Sequence, residues 1–172
     1  MPQSSRSKPV RTASRLGLAV VVVAGFIGIA LPAQAVVSTT AFTVDSQPGD
    51  SIGQGQTITM TSGDATISAT GDATGIDMTA FGSHSFEAVL APPTGGALTA
   101  GTTYPTTKAG DATNAGLDVG GDGRSCSTPI GTMTVHEISV GGLGKVDALS
   151  VTYEQHCGGA TPAAFGELRF QA

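Results

Sequence analysis

Residues 131–157 read GTMTVHEISVGGLGKVDALSVTYEQHC. Two runs of alternating apolar and polar residues, 131–140 and 145–157, flank the joint Gly141-Gly142-Leu143-Gly144. Alternation at a period of two is the pattern of a half-buried strand, and a glycine-rich joint between two such runs marks a hairpin. In the second run Leu149, Val151, Tyr153, Gln155 and Cys157 share one face, while Ser150, Thr152, Glu154 and His156 take the other. In the first, Met133 and Val135 fall out of phase with Ile138 and Val140, which predicts a bulge near His136 and Glu137.

The same short-period pattern runs upstream. It places Phe42 and Val44 on one face of 40–45 and Ile58 with Met60 on one face of 56–61. It continues through 65–70, 75–81 and 84–90, with frequent β-branched threonine suiting a pleated surface. Pro48-Gly49, Ser62-Gly63-Asp64 and Thr70-Gly71-Asp72 punctuate the runs as turns. Residues 91–115 are rich in Pro and Gly and are expected to form a long irregular section with at most one short strand, around 102–104. A last strand is predicted over 165–171. Eight to ten short strands without helical periodicity predict an all-β fold, a sandwich, with a flattened barrel as the alternative.

Residues 1–35 read as a targeting segment. Arg6, Lys8, Arg11 and Arg15 precede an apolar run from Leu16 to Leu31, and Ala33-Gln34-Ala35 has the small-x-small form of a cleavage site. Cleavage after Ala35 is expected, leaving a single domain over 36–172, secreted and free of the membrane. That chain retains Lys108, Arg124, Lys145 and Arg169 against thirteen acidic residues, a formal charge of −9. Such a surface disfavours nucleic acid and anionic envelope polymers as partners and keeps an exported protein soluble. The chain has no Trp, 6 Phe and 2 Tyr, so its core is built from light side chains and gains from a covalent staple.

Cys126 and Cys157 supply it. Two cysteines in an exported chain, in no C-x-x-C and with no complete zinc set, are read as a disulfide. Closing so long a loop is worth roughly 3–4 kcal/mol on chain-entropy grounds. The bridge is expected to bring Arg124 near Glu154 and His156, where an Arg124–Glu154 ion pair could form.

Asp118-Val-Gly-Gly-Asp122-Gly-Arg124 has the outline of an oxygen-ligand calcium loop, with Asp122 and Gly123 at positions five and six. Position three is Gly120 and position twelve is Pro129, so half the ligands are missing. The expected reading is a tight turn in which glycines supply positive φ and Asp122 bonds to nearby backbone N–H groups. Calcium at Asp118 and Asp122 is the minor alternative, and no other cofactor is expected. His136 and His156 are weak metal candidates, because their strands are expected to pair, yet no histidine pair has ligand spacing. No nucleophile elbow is present, and thirteen scattered acids do not single out a glycosidase pair, so no catalytic residue is assigned.

Four segments carry a likeness. They are Gly121-Asp122-Gly123-Arg124-Ser125-Cys126-Ser127, Gly131-Thr132-Met133-Thr134-Val135, Tyr153-Glu154-Gln155-His156-Cys157-Gly158-Gly159 and Ala163-Ala164-Phe165-Gly166-Glu167-Leu168-Arg169-Phe170. Together with Gly49-Asp50-Ser51-Ile52-Gly53-Gln54-Gly55, they resemble a group of secreted domains of actinobacterial type. Its pattern runs GDGRGCN, G-x-F-x-V, FxQHCEG and AL-x-G-x-[IL]-R-[FY]. Ser125, Ser127 and Gly158 depart from it, standing for Gly, Asn and Glu. The resemblance implies a secreted β-domain with a disulfide and names no activity. The functional expectation is therefore a secreted or cell-surface protein with a non-catalytic binding or structural role. The alternative is a small metal-dependent or hydrolytic enzyme using His136, Glu154 and His156.

Overall fold

The computed structural model describes residues 39–142 and 145–172. The leader, its cleavage site after Ala35, and Leu143 and Gly144 of the hairpin joint lie outside them. The described residues form ten strands and no helix. In chain order these are β1 (Ala41–Ser46), β2 (Thr57–Thr61), β3 (Thr66–Asp72), β4 (Gly75–Phe81) and β5 (Ser85–Ala91). They continue with β6 (Thr102–Thr107), β7 (Ala115–Gly121), β8 (Pro129–Val140), β9 (Val146–Cys157) and β10 (Ala163–Phe170).

All ten belong to one sheet, ordered β2-β1-β10-β9-β8-β6-β7-β5-β4-β3. Thr70 near the end of β3 bridges Lys145 just before β9, so the sheet curls until one edge reaches its middle. The fold is all-β, as expected, and takes the nearly closed barrel form that was the alternative to the expected sandwich, because all ten strands join one curled sheet. Phe42 of β1 and Phe86 of β5, six pairings apart in that order, meet across the interior with ring centroids 5.9 Å apart.

Alternation explains which side faces in. Phe42, Val44, Ile58, Met60, Met78, Leu90, Val135, Leu149 and Val151 are buried, and the residues between them are more exposed. The bulge falls where the phase change placed it, with the β8–β9 register shifting between Val135 and Glu137 and again between Ser139 and Val140. No helix among the described residues is long and apolar enough to cross a membrane.

Two segments differ from the sequence reading. The irregular section contains β6, longer than expected, antiparallel to β8 and parallel to β7 through Thr106 and Thr107. More consequentially, the segment from Asp118 to Gly121, read as part of a tight glycine-rich turn with a calcium loop as the minor alternative, belongs to strand β7. That strand pairs with β5 through six residues, Phe86–Ala91 against Gly116–Gly121. A neighbour supplying a full ladder overrides the weak strand propensity of Gly116, Gly120 and Gly121.

Candidate functional site

β7 ends in a two-residue hairpin turn. Gly121 N donates to Arg124 O and Arg124 N donates to Gly121 O, at 2.9 and 2.8 Å. Asp122 and Gly123 between them have φ of 51° and 74°, the double positive φ of a type I′ turn, for which Asp-Gly is a favoured pair. The tight-turn reading therefore holds, with Asp122 itself in the left-handed region. Its carboxylate accepts from Ser85 N at 2.9 Å, meets His84 Nδ1 at 2.8 Å and lies 3.3 Å from Arg124 Nη2. The His84 hydrogen bond, followed by the Ser85 N–H, holds the Asp122 carboxyl below its usual range.

Asp118 has a separate environment. Lys108 Nζ reaches its Oδ2 at 2.9 Å and the carbonyl of Cys126 at 2.7 Å. One acid lies on a strand and the other on a hairpin tip, so the twelve-residue calcium loop is not formed. Among the described residues no group of three or more His, Cys, Asp and Glu is placed to hold a metal ion.

The histidines do not converge. His84 takes Asp122, His136 Nε2 takes Thr152 Oγ1 at 2.9 Å, and His156 Nε2 takes Glu154 Oε1 at 2.7 Å. His136 meets β9 at Thr152, four residues and about 13 Å along the strand from His156, so the two imidazoles do not converge on one ion. Glu154 is thus the partner of His156, and the Arg124–Glu154 pair is not made. Arg124 turns instead to Ile52, donating from Nε to its carbonyl at 2.6 Å. This bond clasps the β7–β8 connection to the Gly49–Gly55 segment.

Cys126 and Cys157 stand at disulfide distance, with Cα atoms 5.4 Å apart, inside the range a bridge requires. Cys126 is buried and Cys157 half-buried.

Several motif residues serve the interior. Gln155, only 1% exposed, accepts from Val119 N and donates to Val119 O, both at 2.8 Å. β6 leaves β7 after Gly116, and the side-chain amide of Gln155 pairs with β7 where a strand would otherwise do so. Tyr153 donates to Thr43 O at 3.1 Å, and a Cβ at Gly166 would collide with both. Burial, reinforced by the charge of Asp50, pushes the Tyr153 hydroxyl well above its usual range. Buried Asp50 accepts from Ser46 Oγ, Ile52 N and Gly53 N at 2.7–3.0 Å. Alternation placed Gln155 and Tyr153 on the inner face, but their partners were invisible to it.

The concave surface lies outside, over β4, β5 and β7. Register builds it in three rows. Asp77, Val89 and Asp118 face one another across the strands, then Thr79, Glu87 and Gly120, then Phe81 and Ser85 beside Asp122. Gly120 leaves a gap in the middle row, and the returning segment walls it, with Arg124 O where a Cβ at 120 would sit. The resulting cleft measures about 380 Å³ and includes Phe81, Glu87, Val89, Asp118 and Ser125 in its lining. The charge of Asp77, then burial, then a hydrogen bond shared with Asp77, raises the Glu87 carboxyl above its ordinary value; Asp118 adds to this. A smaller depression of about 210 Å³ lies over Thr132, Thr134, Thr152 and Glu154.

No family model, curated protein or solved structure matches the chain. The function is therefore argued from the cleft and the residues around it.

Proposed function

We propose that the chain is an exported, non-catalytic binding domain and that the cleft over β4, β5 and β7 is its ligand seat. One observation carries this reading. Of four large hydrophobic residues left exposed among those described, Phe81 (55%) and Val89 (42%) line the same concavity. Apolar side chains gathered in a cleft with a few polar groups are the usual composition of a ligand site, whereas exposure that serves no contact tends to be scattered.

The basic leader, the small-x-small site and the likeness to the actinobacterial domains support export and a Cys126–Cys157 bridge. The enzymatic alternative draws no support from the histidines, which take three separate partners. No cofactor enters the proposal, and the formal charge of −9 argues against nucleic acid.

The test is a fragment-library screen by backbone-amide NMR on oxidised protein spanning 36–172. Hits should shift the amides of Phe81, Val89, Gly120 and Gly121. Hits that collect at Thr132–Thr134 and Glu154, or none at all, would remove the cleft as the seat.

A further inference from the structure

We propose that the cleft takes a basic side chain of an extended peptide segment, its aliphatic stem on Phe81 and Val89 and its cationic head at Glu87 and Asp118, with Asp77 adding charge from beside the cleft. This rests on the reading of the cleft as ligand seat and names the class of ligand.

The row arrangement supplies both halves of such a ligand. Val89 lies between Asp77 and Asp118 in register, and Phe81 lies two residues beyond Thr79 on the same face of β4. A lysine or arginine buries its methylene stem on apolar surface while its head seeks anions, and an aromatic face attracts that head further. A volume of about 380 Å³ suits one long side chain with its flanking backbone and is too shallow for a packed helix. Ser85 and Ser125 in the lining offer hydroxyls around the acids to a chain lying across the strands.

The local charge balance selects the sign. Of the cations around these acids, Lys108 is committed to Asp118 Oδ2 and Cys126 O and Arg124 to Ile52 O and Asp122, while Lys145 lies across Thr70 on the far side of Asp77. Asp118 Oδ1 and Asp77 Oδ1 lie beneath the surface without a hydrogen-bond partner, so no donor offsets their charge, and Glu87 feels both acids from its place in the cleft lining. Lys108 already illustrates the contact, since its ammonium satisfies half of Asp118. A second cationic head beside Glu87 and Asp118 would relieve the repulsion among the three carboxylates.

The experiment titrates NMR-labelled protein with a capped Val-Lys-Val peptide, the same peptide with acetyl-lysine, and calcium chloride alone. The lysine peptide should shift Val89, Gly120 and Gly121 amides and bind at least tenfold more tightly than its acetylated form. Its affinity should fall with added salt, with Glu87→Gln in a variant confirmed folded by its spectrum, and as pH drops below the raised Glu87 value. Equal binding of both peptides at the cleft overturns the cationic head and leaves the seat standing. Calcium shifting the cleft where the lysine peptide does not overturns the peptide ligand in favour of a metal. Silence at the cleft from all three probes, alongside fragment hits there, overturns this proposal alone. Silence from fragments as well removes both.

Discussion

Gln155 illustrates how one side chain closes a gap that the backbone leaves open. Its amide has the donor and acceptor of a peptide unit, and it meets both polar groups of Val119 where β6 has already departed. Gln155→Leu keeps the volume and strands a buried N–H and C=O, so a loss of about 2–4 kcal/mol is expected in urea unfolding. A loss under about 0.5 kcal/mol would mean that Val119 finds other partners. His156 makes a different bargain with solvent. Both ring nitrogens face oxygens, Glu154 Oε1 and Ala160 O, each at 2.7 Å, so the imidazolium can satisfy both at once. The Glu154 bond is the larger cause of the raised His156 pKa, opposed by burial. A raised folded pKa stabilises the protein fully below the unfolded value of about 6.5 and ceases to do so as pH rises through the folded value. Stability should therefore fall across that window in the parent and stay flatter in His156→Gln, and an NMR titration should place His156 above ordinary histidine. The inward phase of Gln155 and outward phase of His156 were legible from alternation alone. Their partners were not, because Val119 lies 36 residues away and the strand carrying it was read as a loop.

At the scale of elements, the hairpin turn at Asp122-Gly123 sets the cleft's far wall. Glycine at 123, with φ of 74°, is required because a β-branched residue is strained there. Gly123→Val should cost about 1–3 kcal/mol and shift the amides of Ser85 and Gly120, since the turn carries Asp122 onto Ser85. An unchanged melting point with unchanged amides would show that the turn is not the determinant. The tightness of this turn could be read from Asp-Gly, and the bulge at His136 from the phase change between Val135 and Ile138. β7 escaped detection because three of its seven residues are glycine, and two of these are shaped by neighbours. Gly121 lies under the Phe86 ring, and Gly120 lies beside Arg124 and Ser125, so the strand is specified by contacts instead of its own propensity. The long section before it concealed β6 for a related reason: Pro105 lacks an N–H, but its strand still pairs with Thr132 of β8.

Across the whole molecule, glycine-rich and polar motifs need not mark chemistry. Asp50, Arg124, Tyr153 and Gln155 hold segments together within or beneath the sheet, and the cysteine pair stands at disulfide distance between the β7–β8 connection and the end of β9. The surface that offers itself to a partner lies elsewhere, on the outer faces of β4, β5 and β7, and only pairing register assembles it. Phe81, Val89 and Asp118 come from three strands, so no contiguous motif announces the cleft. This separation of interior stitching from outer binding surface can be tested in one measurement on Phe81→Thr/Val89→Thr, which places strand-compatible β-branched residues at both positions. Substitution at exposed positions changes stability by about 0.5 kcal/mol or less, whereas removing a ligand's apolar contacts lowers affinity. Thermal melting followed by lysine-peptide titration of the same sample should show a melting point within a few degrees of the parent and binding reduced at least tenfold. A melting point far below the parent, or peptide binding at parental strength, would contradict the assignment of this face to ligand binding.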